Sequence, residues 1–512
     1  MNVRDEPVFL RSDAIIEPLV DRFYAWLHTV SPAAAALNLA KVQVPLLESE
    51  LREPRADTAV RAGEIAALLA SIRKDRADLL TFAGAIGQAE TLLRQSRAGS
   101  DLTKLYPKLP ASLNGLVELA YDGGHQPVLR LIEPLLYTSP CHDVTRQSVQ
   151  LSLNTGGERP SVLSTPRLPS PDALDLRIPF THPGLDKLSA ARITPTTLGE
   201  LGEALELDTA RTGQLRKLLT GEPHLSPDRH IEGGGRIRWF GHACLVIQSA
   251  ETTIVTDPLI SADSRRDDRY TFGDLPDHID LVLITHGHPG HLVLETLLQL
   301  RTRIGAVMVP RSSRGSLCDP SIALHLKDLG FDVIEVDDFD EVAIPGGRVV
   351  ATPFLAEHGD LDIRAKSTFH VQIAGASLYI GAGSSGVDPV VHRYVRGRLG
   401  RVDMAFLGMK CVSVPPHRLY RGVLTRPPAE QMDGSRRLWR SGAKQAVAIM
   451  TELGADEGYI YAMGDESWQQ HLMAAAPAED PYETGQITEF IDWCFGSGIT
   501  AGRLRNKREW RW

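Results

Sequence analysis

Cysteine is scarce in this sequence. The 512 residues contain five cysteines, an odd number, and no Cys-x-x-Cys pair. Disulfides are therefore not needed for the fold, and this usage is typical of a reducing compartment. The scattered thiols are Cys141, Cys244, Cys318, Cys411 and Cys494.

Long apolar runs are absent as well. No stretch of about 18 apolar residues occurs, so no membrane-spanning helix is predicted. The N-terminal residues lack the apolar segment of a secretory signal. A net charge of -9 argues against a nucleic-acid-binding surface. We predict a cytoplasmic protein whose partners include neither a membrane nor a nucleic acid.

What the sequence does have is an ordinary globular composition, 43% hydrophobic and 23% charged. The length allows two to four domains, each able to bury its own core. The consecutive glycines 233–235 end the best linker candidate, residues 221–235. We therefore predict one domain over residues 1–230 and a second over residues 236–512.

The N-terminal half carries no catalytic constellation that we recognise. Its apolar spacing predicts helices over much of residues 13–50, 56–98 and 109–136, whereas residues 150–168 alternate more like a strand. His125 and His142 are isolated and are interpreted as structural or surface residues. We predict a mixed α+β domain for scaffolding, substrate presentation or dimerisation.

From residue 236 onwards, short apolar strands alternate with helices and end in polar motifs. The strand at residues 281–284 leads into His286, His288 and His291, three imidazoles within six residues. Imidazole is the commonest protein ligand for zinc and iron, and a short loop can aim several at one ion. The spacing predicts descent from a metal site.

Further polar motifs follow other predicted strands. They contain His242, Asp257, the pair Glu357 and His358, and the Gly- and Ser-rich residues 381–386. Strands alternating with helices, with polar residues at the strand ends, indicate a layered α/β domain whose site lies at the edge of its sheet.

In their order and spacing these motifs resemble the metallo-β-lactamase superfamily. The resemblance implies an α/β fold, an αββα sandwich with its metal site between two sheet edges. A narrower similarity is to a two-domain branch that contains the diiron oxygenases that β-hydroxylate carrier-bound amino acids in nonribosomal peptide synthesis. It covers nearly the whole chain and is carried by residues 132–136, 162–166, 357–361, 461–464 and 507–510.

The chain departs from that family at two ligand positions. The superfamily motif is His-x-His-x-Asp-His, and Gly290 stands where its aspartate holds or orients the second metal. Gly383 corresponds to the aspartate that bridges the two metals. Two divalent ions without these acids would leave charge unpaired in a partly dry pocket, at several kcal/mol per ion. The resemblance therefore does not extend to a dinuclear centre.

A single ion is the expected alternative. The resemblance places His286, His288 and Glu357 as the ligands of one metal, and two histidines with one carboxylate suit non-haem Fe(II). His291 and His358 are further candidate ligands, and three or four imidazoles would favour zinc instead. The predicted cofactor is one Fe or Zn ion.

Several residues near this site are assigned other roles. Asp257 is expected to orient a histidine, and together with His358 and Lys410 it completes the candidate catalytic residues. Ion pairing is the simpler interpretation of Lys410. His242 is interpreted as either a cavity-lining or a structural histidine, and Cys411 as a buried thiol.

Two interpretations lie outside the ligand set. Ser384 and Ser385 are expected to cap a helix or turn rather than to act as nucleophiles. Residues 503–512 are expected to form a solvated tail that packs its tryptophans on the domain.

Two hypotheses about function follow. The first is a mononuclear metal-dependent oxygenase or hydrolase, acting on a small molecule or on a carrier-bound amino acid or peptide in a biosynthetic pathway. The second is a metal-free pseudoenzyme that serves as a binding or partner subunit. The expected assembly is a homodimer, or a heteromer with an intact paralogue.

Overall fold

The computed structural model describes residues 6–53, 61–97, 99–154, 159, 162–264, 268–358, 361–410, 419–426, 441–472 and 480–512. Its strands are β1 (Pro7–Leu10), β2 (Ala14–Val20), β3 (Phe23–Tyr24), β4 (Val117–Tyr121), β5 (Pro127–Leu131), β6 (Gln147–Leu153), β7 (Leu174–Leu176), β8 (Thr196–Thr197), β9 (Leu219–Thr220), β10 (Gly235–Gly241), β11 (Cys244–Ser249), β12 (Thr253–Thr256), β13 (Ile279–Leu283), β14 (Ile304–Pro310), β15 (Val333–Val336), β16 (Glu341–Ile344), β17 (Gly347–Thr352), β18 (Thr368–Ile373), β19 (Ala376–Ile380), β20 (Met404–Gly408), β21 (Glu457–Tyr461), β22 (Thr500–Arg503) and β23 (Arg508–Arg511). Its helices are α1 (Leu27–Val30), α2 (Pro32–Asn38), α3 (Val44–Arg52), α4 (Ala62–Asp75), α5 (Ala77–Gln95), α6 (Glu133–Leu136), α7 (Pro183–Ala190), α8 (Leu198–Ala204), α9 (Thr209–Arg216), α10 (Leu294–Leu300), α11 (Ile322–Asp328), α12 (Val390–Leu399), α13 (Ala443–Leu453) and α14 (Pro481–Gly496).

Two seven-stranded sheets form the C-terminal part of the molecule. The first has the order β15-β14-β13-β12-β11-β10-β23, and the second has the order β16-β17-β18-β19-β20-β21-β22. Each sheet contains parallel pairs among its inner strands. In the first sheet β12 pairs with β13, and in the second sheet β19 pairs with β20. This is the predicted α/β sandwich, and the fold class is confirmed.

The two sheets share one apolar core. Ile237, Leu245 and Leu281 of the first sheet pack with Val371 and Phe406 of the second, and all five side chains are buried. These strands are rich in β-branched and aromatic residues, which suit a pleated surface buried on both sides. The strands that lead into the candidate site are therefore anchored in this core.

The N-terminal residues pack directly on this sandwich. Strands β2 and β6 pair along their full length within a small four-stranded sheet. A continuous core joins Trp26 and Leu185 to Val246 and Leu297, the last of which lies on α10 just after the histidine loop. The N-terminal part thus supports the element that follows the candidate ligands.

Two helix predictions for this region were wrong. Residues 14–20 form the strand β2, and residues 117–131 contain the hairpin of β4 and β5. All seven residues of β2 are buried, so this short apolar run has no polar face whose period would distinguish a strand from a helix. The hairpin does carry a strand period that the helix prediction overlooked, because exposed Glu118 and Arg130 each stand between two buried apolar residues.

The C-terminal residues are part of the sheets and not a solvated tail. Strand β22 closes one edge of the second sheet, and β23 pairs with β10 at the edge of the first. The expected packing of the tryptophans does occur, since the Trp510 ring lies 4.8 Å from that of Tyr459. In the part of the chain that the structure describes, no helix has the length and apolar character needed to cross a membrane.

Candidate metal centre

The candidate site lies where strands of the first sheet end. Strands β12 and β13 are parallel, so their carboxyl ends meet at one edge of the sheet. The N–H of Asp257, directly after β12, donates to the carbonyl of Leu283 at the end of β13 at 2.8 Å. The histidine loop therefore begins beside Asp257, as the sequence predicts.

Four imidazoles form a cluster in this loop and opposite it. The ring of His286 lies 4.6 Å from that of His288, 4.0 Å from that of His291 and 5.1 Å from that of His358. One nitrogen from each of His286, His288 and His358 falls within a group whose members are all within 4.8 Å of one another. The predicted ligands His286 and His288 thus form one group with the candidate His358, and the predicted ligands His291 and Glu357 lie beside that group and are not members of it.

Asp257 fixes the orientation of two of these rings. Its carboxylate accepts from the Thr285 hydroxyl at 2.6 Å and lies 2.6 Å from His291 Nδ1. A carboxylate only accepts, so His291 Nδ1 carries a hydrogen and its Nε2 holds the lone pair. Since the Thr285 hydroxyl donates to Asp257, its oxygen accepts from His286 Nδ1 at 3.0 Å. Nε2 is then the lone-pair nitrogen of His286 too.

The nitrogens of the two loop histidines are spaced as ligands of one ion would be. His286 Nε2 lies 3.1 Å from His288 Nδ1, and that nitrogen is 3.5 Å from Glu357 Oε1. Two ligands about 2.1 Å from a common ion, at angles between 90° and tetrahedral, are roughly 3.0 to 3.4 Å apart. The spacing of His286 and His288 therefore fits two ligands of one divalent cation, with Glu357 next to the His288 nitrogen.

Glu357 is held by an unusual backbone. Ala356, Glu357 and His358 have φ angles of 63°, 62° and 55°, a region that residues other than glycine rarely adopt. Such strain persists only where the surroundings enforce it, and it is found at functional sites. Here it places Glu357 and His358, neighbours in the chain, on the same cavity.

A side chain at Gly383 or at Gly290, the two glycines expected at ligand positions, would meet a neighbouring side chain. A Cβ added to Gly383 would collide with Oε2 of Glu357. A Cβ added to Gly290 would stand 3.0 Å from Nε2 of His242, which is buried. Glu357 and His242 thus take up the space from which aspartate side chains would otherwise project.

Tyr420 completes the site, and no motif in the sequence identified it. Its hydroxyl lies 2.9 Å from His288 Nε2 and 2.6 Å from His358 Nδ1. Tyr420 is buried and is separated from His288 by 132 positions in the chain. Without an alignment, a lone tyrosine in the stretch 419–426 gives no signal of a role.

Burial keeps the deepest imidazoles neutral. Burial, reinforced by His291 and its neighbours, lowers the pKa of His286 well below its usual range. Burial, followed by the charges of His291 and Lys410, lowers the pKa of His242 in the same way. Neutral imidazole is the form that binds metal ions, so the cavity presents these side chains in the competent state.

Lys410 does not reach into the imidazole cluster with its hydrogen bonds. Its Nζ donates to the carbonyl of Met463 at 2.9 Å and lies 3.8 Å from Glu483. The Ser384 hydroxyl accepts from the N–H of Leu355 at 3.0 Å, a contact with an earlier loop and not the expected cap of a following helix or turn. Cys411 lies outside the described residues.

The N-terminal part forms one wall of the cavity. A Cβ on Gly287, inside the histidine loop, would stand 2.6 Å from a methyl carbon of Leu27. The ring of His28 lies 5.3 Å from that of Tyr420, and burial lowers the pKa of His28 to about 3. Glycine at 287 therefore allows the N-terminal part to approach the loop closely.

Comparison with known proteins matches both parts of the chain. A family model described as the diiron non-heme beta-hydroxylase N-terminal domain matches residues 9–62 and 56–223, and a beta-lactamase superfamily domain matches residues 236–384. The 4-amino-L-phenylalanyl-(CmlP-peptidyl-carrier-protein) 3-hydroxylase of Streptomyces venezuelae is 32% identical over 527 residues, covering 98% of this chain and 99% of that protein.

Solved structures agree with this relationship. The crystal structure of CmlA, a diiron beta-hydroxylase from Streptomyces venezuelae, superposes with a TM-score of 0.91 at 32% identity, covering 99% of this chain and 100% of that one. A mutant of the same CmlA beta-hydroxylase gives a TM-score of 0.89 at 31% identity. The chain therefore belongs to the CmlA-like diiron beta-hydroxylase family of the metallo-β-lactamase superfamily.

Proposed function

We propose that this chain is a metal-dependent oxygenase with a single metal ion, acting on an amino acid or peptide attached to a carrier protein. The proposal combines the family relationship with the ligand set His286, His288 and Glu357. The name of the relative from Streptomyces venezuelae describes a hydroxylase that acts on an aminoacyl group attached to a peptidyl carrier protein. A hydrolase using the same ligands is the closest alternative chemistry.

One observation carries the proposal. Asp257 and Thr285 leave the lone pair of His286 on Nε2, and this atom faces His288 Nδ1 at 3.1 Å. Oε1 of Glu357 lies 3.5 Å from the same His288 nitrogen. Two imidazoles and one carboxylate are the set that suits non-haem Fe(II), and we propose that these three residues supply it.

The proposal of one ion rests on Gly290 and Gly383. Neither position supplies a carboxylate, and His242 and Glu357 fill the adjoining space. Without a carboxylate at either glycine, a second divalent ion would bring two more positive charges into buried surroundings with less to offset them, at several kcal/mol. We therefore propose one ion.

In hydroxylation, one oxygen atom of O₂ enters a C–H bond and the other leaves as water, with two electrons from an external donor and two protons. The bound ion would supply the activation of O₂. Burial, which lowers the pKa of His286, holds that imidazole neutral, and Leu27 packs against the histidine loop. His358, hydrogen-bonded to Tyr420, is the proposed residue for holding or moving a proton beside the substrate.

Metal analysis tests the proposal. The full chain is produced with iron, zinc and manganese supplied, purified without oxygen, and analysed by inductively coupled plasma mass spectrometry. We expect about one ion per chain, and less than a tenth of that in His288→Ala. Essentially no bound iron, zinc or manganese in the unaltered chain would end this proposal. One zinc ion without iron would favour the hydrolase.

The metal-free pseudoenzyme is the second candidate. It is favoured by the same two glycines, because the cavity is filled where the family aspartates would stand. Neutral buried histidines are stable without an ion, so their retention does not decide the matter. Binding of a carrier protein with equal affinity by the unaltered chain and by His288→Ala, with no metal in either, would support this candidate.

The proposed setting is a biosynthetic pathway in the cytoplasm. The proposed partners are a carrier protein and either a second copy of the chain or a paralogue with an intact metal site. Sedimentation of the full chain alone, and then with a carrier protein loaded with an aminoacyl group, measures both associations.

A further inference from the structure

We infer that Ser31, Glu133 and Tyr137 bind a monovalent metal cation, Na⁺ or K⁺, where the N-terminal part of the chain meets the C-terminal part. None of these residues belongs to the imidazole cluster, so the inference does not depend on the proposed function. The three side chains line one cavity of about 10 Å³, together with residues of α2 and of the segment 316–320. A cavity of this size has room for roughly one water molecule or one ion.

The local backbone brings these side chains together. Glu133 begins α6 and Tyr137 directly follows it, four positions later, so the two side chains project from the same side of this turn. Ser31 lies between α1 and α2. Burial raises the pKa of Tyr137 and the charge of Glu133 raises it further, whereas Ser31 opposes the rise. The three groups are therefore close enough to act on one another.

Each of these side chains has an oxygen without a hydrogen-bond partner among the described residues. The atoms are Oγ of Ser31, Oε1 of Glu133 and the hydroxyl oxygen of Tyr137, and all three are buried. The other carboxylate oxygen of Glu133 accepts from the N–H of Ser321 at 2.8 Å. Leaving a buried polar atom without a partner is costly, and such atoms in native proteins usually contact water or an ion. Three of them around one cavity indicate a bound species.

The charge of this region favours a cation. Glu133 and Asp319 are both buried, with 9% and 2% of their surface exposed. The carboxylate of Asp319 accepts from backbone N–H groups, those of Ser313, Arg364 and Ala365. In the part of the chain that the structure describes, no basic side chain forms an ion pair with either carboxylate. Because buried charges in proteins are paired or coordinate a metal ion, these two acids call for a positive charge.

Protonation of Glu133 is the alternative. Burial raises the pKa of Glu133 to about 7, and the nearby charge of Asp319 contributes to the rise. A proton and one water molecule could serve the three oxygens, but Asp319 would keep a charge that nothing offsets. A bound cation attracts both carboxylates and takes the lone pairs of all three oxygens as ligands. The cation therefore accounts for more of the structure.

The ligands indicate a monovalent metal ion. Glu133 supplies the one carboxylate among the described residues that line the cavity, and the lining contains neither an imidazole nor a thiol. Zinc and iron prefer those nitrogen and sulfur ligands. Calcium takes six to eight oxygens, commonly from several carboxylates. One carboxylate and two hydroxyls match the single charge of Na⁺ or K⁺ instead.

Such an ion would hold the two parts of the chain together. Ser31 directly follows α1, whose Leu27 packs against Gly287 of the histidine loop. On the other side, Glu133 accepts from Ser321 of the C-terminal part, and the segment 316–320 lines the same cavity. The ion would therefore stabilise the folded chain by bridging this contact.

Thermal unfolding of the full chain tests the inference. The chain is unfolded at pH 8 in sodium, potassium or tetramethylammonium chloride at equal ionic strength, since the organic cation is too large for the cavity. We expect Tm to be about 1 to 2 °C higher in sodium or potassium chloride at about 100 mM than in the organic salt. The difference should saturate as the concentration rises, as binding to one site requires.

Matched variants assign this difference to the cavity. Glu133→Gln keeps the shape of the side chain and removes its charge, so Tm should become the same in all three salts. In the organic salt this variant should be at least as stable as the unaltered chain, because it has no charge to offset. Tyr137→Phe removes one ligand and should reduce the difference. Glu118→Gln is the control, because Glu118 is exposed, and it should retain the full difference.

Three results would overturn the inference. Equal Tm values of the unaltered chain in the three salts would mean that the cavity holds water alone. A full difference in both Glu133→Gln and Tyr137→Phe would place the cation elsewhere. A rise in calcium or magnesium chloride that Glu133→Gln abolishes, without a rise in sodium or potassium chloride, would replace the monovalent ion by a divalent one. Each result leaves the iron and zinc content of the imidazole cluster to be decided separately.

Discussion

Oε2 of Glu357 occupies the place where a side chain on residue 383 would begin. A side chain at position 383 is therefore excluded by a neighbouring acid, whose carboxylate fills the space. The left-handed backbone of residues 356–358 makes this possible by turning Glu357 inwards. The glycine and the strained segment are thus parts of one arrangement.

An aspartate at position 383 should consequently weaken metal binding. We expect Gly383→Asp to displace Glu357 and to lower the affinity for the first ion about tenfold or more, rather than to create a second site. Gly502→Asp is the control, since nothing lies within 4 Å of a Cβ there. Isothermal titration with metal measures both, and a stoichiometry of two ions in Gly383→Asp would contradict the expectation.

We expect the effects of substitutions at Gly290 and His242 on stability to be coupled. A side chain on Gly290 begins 3.0 Å from His242 Nε2, so Gly290→Asp must push that ring aside. His242→Ala opens the space, and the two substitutions together should be less destabilising than the sum of the single effects, by about 1 kcal/mol. Urea unfolding of the four proteins completes the cycle. Strict additivity would show that the two side chains do not compete for this space.

The sequence predicts the parts of this site that are local. Asp257 and the histidine loop follow directly on buried strands, and parallel strands bring such ends together. The orienting role expected for Asp257 agrees with its hydrogen bonds to Thr285 and His291. The alternation of strands and helices predicts a layered α/β domain, and the sandwich is what the family resemblance of these motifs implies.

What the sequence does not predict depends on distant packing. Tyr420 approaches His288 only because residues 419–426 pack against the N-terminal helices, and its own surroundings contain no motif. The inward turn of Glu357 depends on three successive left-handed residues, which no composition rule anticipates. The strand β2 was missed because all of its residues are buried and its apolar pattern has no period.

Acid should unfold this protein through its buried histidines. Burial lowers the pKa of His325 to about 4, and neither ring nitrogen has a hydrogen-bond partner among the described residues. The unfolded chain binds a proton near pH 6.5, so the stability that neutral His325 provides is complete above that pH and is lost as the pH falls towards 4.

His325→Leu should therefore move the midpoint of acid unfolding to lower pH. The lowered pKa of His325 corresponds to about 3 kcal/mol of folding free energy at most. The leucine side chain of His325→Leu is expected to recover part of this amount. His278→Leu is the control, because the His278 side chain is 63% exposed. Circular dichroism between pH 7 and pH 4 measures the midpoints, and equal midpoints for all three proteins would refute the assignment to His325.

The contacts of Glu295 attach the N-terminal part of the chain to the helix that follows the histidine loop. This residue lies on α10, just after the histidine loop, and its carboxylate accepts two hydrogen bonds from Arg159, at 2.6 and 2.7 Å. Tyr24 donates to the same carboxylate at 3.1 Å, so two N-terminal residues hydrogen-bond to the helix that follows the histidine loop. All of this occurs in buried surroundings, where a charge that loses its partner is costly.

Glu295→Ala should accordingly destabilise the folded chain by up to about 3 kcal/mol, because Arg159 would lose its bidentate partner and keep only the longer contact with Glu17, at 3.5 Å. Glu452→Ala removes a similar bidentate partner from Arg393 at the surface, where solvent screens the pair, and should change stability little. Urea unfolding compares the two variants. Since α10 follows the ligands, metal affinity should also fall in Glu295→Ala and stay constant in Glu452→Ala; equal effects of the two substitutions would mean that the buried contact does not hold the loop in place.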